Sequence, residues 1–270
     1  MNMDDLRRKL APISKEAWKE IDEQARRSLK ALLGARRIVD FTGPLGWTAS
    51  AIELGQVQEL SSKPQPGVSA ALRKVQRLVE FRAPFQLSRN ELDSAARGAK
   101  AINLDPVRNA AHAIGIAEDR AIFHGYPEAE IVGICEASAD RALTLSRDYE
   151  KYAQVVSDAL CKLQLDGVGG PFAIALGPEC YRGLMGTVGP GGYPVLHHVQ
   201  RLIEGPVFLA SGVQGAVVAS LRGGDFELVV GRDFSIGYLD HTATTVQLYL
   251  EESFTFRVLS PEAAVPLVYR

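Results

Sequence analysis

The sequence predicts an α+β fold. Helical and strand periodicities are mixed along the chain without a regular strand–helix–strand alternation. After the GVGGP turn at 167–171 the chain becomes a run of short strands and short helices. A hydrophobic content of 46% over 270 residues supplies a sizeable core and rules out disorder as the main state.

The first helix is predicted after Ser14, a capping residue that follows Pro12. Trp18, Ile21, Ala25, Leu29, Leu32 and Leu33 recur at spacings of three and four, and Gly34 reads as the stop. This stripe lies at the end of the chain and must bury against something else. A long hairpin is predicted over 48–87, with SSKPQPG at 61–67 as its tip. Its expected second arm, LVEFRAPFQL at 78–87, places Val79, Phe81, Ala83, Phe85 and Leu87 on one face. Pro84 marks that arm as an edge strand.

The best long helix is 105–124, with Asp105 as cap and Pro106 at its start. Its predicted inward face is Val107, Ala110, Ala111, Ile114, Ala117, Ala121 and Ile122. A further helix is expected over 149–165. Strands are expected at 172–177, 206–211, 215–221 and 226–231, and helices at 178–186 and 193–203, joined by a glycine loop. The final strand, 246–258, alternates well, with Glu252 as the one polar residue on its apolar face.

Composition narrows function. The 30 basic and 32 acidic residues give a net charge of −2, so no specific nucleic acid partner is expected. The first 37 residues carry a net +4, read as a solvated helix face or an arm on an acidic surface. The N-terminus lacks the apolar core of a signal peptide, and no apolar run is long enough for a membrane span. A soluble cytoplasmic protein with no membrane partner is expected. Cys135, Cys161 and Cys180 form no CxxC pair and read as small buried hydrophobes.

The search for catalytic chemistry returns little. No phosphate-binding GxxxxGK[ST], HExxH, GxSxG or calcium-binding loop is present. His197 and His198 are adjacent on a predicted helix and diverge by about 100°. His112 reads as a half-buried helix residue. No metal site is expected. Glu251 and Glu252 face opposite sides of a strand and make a poor acid dyad. A cysteine–histidine pair meeting in space stays open. A terminal helix, a protruding hairpin and a glycine loop suggest assembly rather than catalysis.

Several longer motifs occur in a fixed order. They include LAPISKEAWKEIDEQA at 10–25, GARRIVDFTGPLGW at 34–47, RAPFQLSRNELDSAARG at 82–98 and EDRAIFHGYPEAEIVGI at 118–134. GGPFAIALGPECY, GGYPVLHHVQRLI, LRGGDFELVVGRDFSIGY and ESFTFRVLSPEAAVPL follow. On these the chain resembles the encapsulins, nanocompartment shell proteins once described as linocin-type bacteriocins. The resemblance implies the Hong Kong 97 phage capsid fold and an icosahedral shell of many copies. It implies an N-terminal arm at 1–47, an extended loop at 48–87 and a peripheral domain with a spine helix at 88–133. An axial domain at 134–222 and return strands at 223–270 complete the division.

The implied partner is a cargo protein, a dye-decolorising peroxidase or a ferritin-like or haemerythrin-like iron protein, docked through its C-terminal tail. The implied docking residues are Leu29, Arg36 and Asp40 on one side and Asp233 and Ile236 on the other. Alternatively, Leu29 and Ile236 are only core, and Arg36 pairs with Asp40. Thr187, Val188, Gly189, Pro190, Gly191, Gly192 and Tyr193 match the family's pore loop. Some members stack a flavin on a tryptophan after the hairpin. Here Leu87 to Asp93 holds no aromatic residue, so no flavin or other cofactor is expected. A prophage capsid protein and a hydrolase are the competing readings.

Overall fold

The computed structural model describes residues 5–189 and 191–269. Helix α1 spans Lys15–Leu32, and the Ser14 hydroxyl accepts a hydrogen bond from the Ala17 amide at 3.2 Å. Ala17, Ile21, Ala25 and Leu29 form its buried stripe. Gly34 is not a left-handed stop. Its φ is −72°, and a short 3-10 turn, Ala35–Arg37, follows directly. Glycine is needed there because a Cβ would lie 2.8 Å from the Ala210 Cβ. Strand β1 is Asp40–Thr42.

Strands β2 (Ala51–Glu59) and β3 (Ala71–Arg77) form a separate two-stranded sheet. The expected second arm of this hairpin is instead β4 (Val79–Ser88), which leaves the hairpin and pairs along its length with a later strand. The strong alternation of 78–87 reflects that burial: Phe85 and Leu87 are core residues. The true second arm, β3, is exposed and barely alternates. Pro84 sits in β4 at the sheet edge, opposite Tyr249.

Helices α2 (Arg89–Ala96) and α3 (Asp105–His124) follow. Asp105 does not cap α3. It is the first helical residue, and Leu104 holds the cap position without a side-chain bond. The expected inward face is buried apart from half-buried Ala117, but Glu118 and Asp119 are fully buried as well. His112 is exposed, contrary to expectation. Next come α4 (Ile134–Ala137), β5 (Leu143–Leu145) and α5 (Tyr152–Leu165), the last entered through a 3-10 turn at Tyr149–Lys151.

The remaining elements are β6 (Phe172–Leu176), α6 (Pro178–Gly186), α7 (Val195–Ile203), β7 (Val207–Leu209), β8 (Ala216–Ser220) and β9 (Phe226–Val230). They end with β10 (Ser235–His241), β11 (Thr245–Val258) and β12 (Ala264–Tyr269). One five-stranded sheet runs β5-β12-β8-β6-β7. Its strands β6 and β8 are buried at every residue, which is why they read as unbroken apolar runs. The other five-stranded sheet is centred on β11, with β4 along one side and β10, then β9 and β1, along the other.

The two sheets organise two cores. Val246, Leu248 and Leu250 of β11 pack with α1, α2 and α3, while Phe254 and Phe256 pack with the β6–β8 sheet. Glu252 therefore lies on β11 between the stretches that feed the two cores. Truncating Phe256 to alanine removes a fully buried ring. The urea midpoint of Phe256→Ala is expected to report a loss of about 3–5 kcal/mol, and a loss below about 1 kcal/mol would contradict this packing.

Candidate functional site

Helix α1 and strand β10 bound a groove of about 540 Å³. Its floor is apolar: Ala25, Leu29 and Leu33 come from α1 and the residue after it, Ile236 and Leu250 from the sheet. Charged side chains stand around it, including Arg26, Lys30, Arg36 and Asp233. Four of the five residues expected to act together, Leu29, Arg36, Asp233 and Ile236, thus meet in one place. Leu29 and Ile236 are also core residues, so they shape the floor more than they protrude from it.

Asp40 does not join them. Parallel pairing of β1 with β9 sets Asp40 beside Glu227. There it lines a separate cavity with Ser220, Leu221 and Phe226, and its Oδ2 accepts from the Gly224 amide at 2.6 Å. The alternative Arg36–Asp40 pairing is replaced by a buried cluster. The Arg36 Nη2 donates to Glu118 at 2.5 Å and to Glu252 at 3.1 Å, and Nη1 donates to Asp233 at 2.9 Å. Glu118 and Glu252 are fully buried. Burial alone would lower the Arg36 pKa, but its three carboxylate partners outweigh this and raise it.

Burial, followed by the neighbouring Glu118 carboxylate, holds the Glu252 pKa well above the ordinary glutamate range, and Glu252 Oε1 has no hydrogen-bond partner. Burial likewise pushes Asp119 up to about 7. Asp119 accepts the amides of Ala35 at 2.9 Å and Gly34 at 3.2 Å, so it fixes the turn that carries Arg36. Sequence reading missed Glu118 and Asp119. The visible signal was Glu252, the single polar interruption of the β11 stripe. Glu251 faces the other side and pairs with Arg82 at 2.7 Å, so the two neighbours form no dyad.

The glycine loop is a built turn. The Gly189 amide donates to the Tyr193 carbonyl at 2.9 Å, and the Thr187 hydroxyl donates to the Gly183 carbonyl at 2.8 Å. Gly191 and Gly192 have φ of +85° and +81°, which side-chain-bearing residues rarely adopt. Val188 and Tyr193 are exposed, and Tyr193 meets His197 and His198 edge-on. Pro190 lies outside the described residues.

The cysteines part company. Cys180 is buried, Cys135 is half-buried, and Cys161 is exposed on α5, against expectation. Cys135 and His124 line one cavity, the spatial pairing left open by sequence. Burial pushes the Cys135 thiol up to about 12, and His124 Nε2 is occupied by the Gln214 amide at 3.0 Å. That is the wrong poise for a thiolate nucleophile and its base. Among the described residues no cluster of three metal-ligating side chains occurs.

Two outcomes follow from the cluster. Arg36→Met leaves two buried carboxyl groups without their cation, and its stability loss is expected to reach about 3–5 kcal/mol near pH 7. The loss should shrink as pH falls and Glu252, whose pKa burial raises, takes up its proton; a pH-independent loss in urea titrations would contradict the cluster. Asp119 has a folded pKa above its unfolded value, so its stabilisation is full below about 4 and is lost as pH rises to about 7. Asp119→Asn is expected to abolish a decline of about 4 kcal/mol across that window.

Known proteins match both the sequence and the shape. Residues 3–255 match the Linocin_M18 family, described as encapsulating protein for peroxidase. The chain is 56% identical to the type 1 encapsulin shell protein of Rhodospirillum rubrum, covering 98% of this chain and 96% of that one. It is 42% identical to the type 1 encapsulin shell protein of Mycobacterium tuberculosis, covering 98% and 99%. Among solved structures, the virus-like particle from Pyrococcus furiosus superposes with a TM-score of 0.62 at 14% identity, over 93% of this chain and 98% of that one. A Mycobacterium phage Ogopogo chain superposes at 0.58 and 14% identity, over 89% and 92%. With relatives this similar across its length and a capsid architecture, the chain belongs to the encapsulin shell protein family and has the Hong Kong 97 capsid fold.

Proposed function

We propose that many copies of this chain close into an icosahedral shell, and that the α1–β10 groove docks the C-terminal tail of an enclosed cargo enzyme. The protein itself is non-catalytic in this reading and works in the cytoplasm. The observation that carries it is the groove: an apolar floor rimmed by charge, on a chain otherwise similar in full length to encapsulin shell proteins. The family description favours a peroxidase as cargo, with a ferritin-like or haemerythrin-like iron protein as the alternative. No helix of the described residues is long and apolar enough to cross a membrane.

The exposed hairpin supports assembly. A two-stranded sheet is marginal alone, yet β2 and β3 expose Val57, Leu72 and Val75. Those side chains await burial against a neighbouring copy. The loop at 187–193 is read as the rim of a pore, with Val188 and Tyr193 available to narrow it. No flavin is proposed, because residues 87–93 offer no ring on which to stack it.

Electron microscopy of the chain expressed alone is expected to show uniform closed particles; a monomer would overturn the reading. Leu33 is half-buried, lines the groove and packs against the core from its margin. Leu33→Asp is expected to keep particles intact while lowering capture of a co-expressed cargo by about tenfold. Deleting 188–191 should speed delivery of a small reductant to an enclosed peroxidase, and unchanged kinetics in intact particles would count against the pore.

A further inference from the structure

We infer that Glu118 and Glu252 hold one proton between them beneath Arg36, and that this proton latches the turn after α1 to the seam between the two cores. The latch is closed with the proton bound and loosens when alkali removes it. It stands whether or not the groove docks a tail.

Geometry sets the charge count. Arg36 Nη2 donates to the Oε2 atoms of both Glu118 and Glu252, at 2.5 and 3.1 Å. Glu118 holds the guanidinium with both oxygens, because Nε donates to its Oε1 and Oε2 at 2.9 Å. Glu252 makes one longer contact, and its Oε1 is buried without a partner. The two carboxyl groups also hydrogen-bond each other. Two ionised carboxylates can only accept, so that bond needs a proton. Placed on Glu252, the proton makes one group a donor and avoids a second unpaired charge in the interior.

Among the described residues Arg36 is the one cation that bears on Glu252. The other charges of the elements packed around it are engaged or face elsewhere. From α3, Asp119 accepts the Gly34 and Ala35 amides, and Arg120 is exposed. From the turn, Arg37 lies 4.1 Å over the Phe208 ring. Between β9 and β10, Asp233 accepts from Arg36, while Arg232 pairs with Asp5 and with Glu251, which faces away from Glu252. On β4, Arg82 pairs with Glu80 and Glu251. Arg26 and Lys30 of α1 are exposed, Asp40 lines its separate cavity, and Asp240 and His241 stand at the far end of β10. One guanidinium therefore serves three fully buried carboxyl groups, Glu118, Asp119 and Glu252. Glu252 lies between the stretches of β11 that feed the two cores, so a second negative charge there falls on their seam.

The test compares Glu252→Gln with its parent, both as the full chain carrying Asp119→Asn so that Asp119 does not titrate. Glutamine keeps the donor and the shape of the protonated acid but binds no proton. Burial raises the folded Glu252 pKa, so its stabilisation is full below the ordinary value of about 4.5 and is lost as pH rises through the folded one. In urea titrations the unfolding constant of the parent is therefore expected to gain on that of Glu252→Gln by up to about tenfold per pH unit above about 4.5. Glu118→Gln removes the carboxylate that grips Arg36 and is expected to destabilise across the same range. Infrared spectra of the parent at about pH 6 are expected to show the carbonyl band of a buried protonated carboxyl group, missing from Glu252→Gln. That band decides alone if the variant fails to fold. The Arg37 and Ile38 amides donate to the Gly34 and Ala35 carbonyls at 3.1 and 3.0 Å and report the turn. Their protection from hydrogen exchange, corrected for intrinsic rates, is expected to fall about tenfold further in alkali in the parent than in Glu252→Gln. A ratio of unfolding constants that stays flat with pH, or a parent without the band, overturns the shared proton. Equal protection of the two amides in both proteins overturns the latch and leaves the shared proton standing.

Discussion

Arg36 is the constraint on which much of the rest depends. Its guanidinium joins three parts of the chain that are far apart in sequence: the end of the N-terminal arm, the long helix α3 through Glu118, and strand β11 through Glu252. Taking these charges out of water is costly, and removing any one partner leaves another stranded. The arrangement holds because Asp119 grips the Gly34–Ala35 amides and positions the turn from behind. Phe234 and Phe41 flank the guanidinium at 4.7 and 5.2 Å and limit its motion.

The cluster also explains the groove. Helix α1 has a narrow apolar stripe and cannot stand alone, so it lies on α3, α2 and the sheet. Asp119 holds the turn just after α1 and Arg36 ties that turn to α3 and β11, with Leu29 and Leu33 on one side of the groove and Ile236 on the other. The same arginine reaches Asp233 at the groove rim. Structural ion pairing and the rim of the proposed docking groove thus share one side chain, so an ion-pairing role for Arg36 does not exclude the proposed one.

The hairpin and the glycine loop follow a different logic. Both leave apolar side chains in water and lack a core of their own. Within one chain these are defects. In the proposed shell of identical copies the hairpin would meet a neighbour and the loop would border an opening, because each copy can supply the surface that its neighbour lacks.

Sequence alone determined the class of the fold, the helices α1, α3, α5, α6 and α7, and most strands of the β6–β8 sheet. In each, apolar spacing within a single element is enough to reveal it. The ordered motifs also carried the family. Only tertiary structure decided which strand completes the hairpin, since 78–87 alternates whether it pairs with β2 or with β11. It also decided that Asp40 belongs to another cavity, because parallel pairing with β9 is invisible locally. Glu118 and Asp119 looked like ordinary polar residues of a helix until Arg36 and the Gly34–Ala35 amides came to them from 82 to 85 residues away. Burial of charge is a property of partners distant in sequence. Periodicity reports which face turns inward but not which ion waits there.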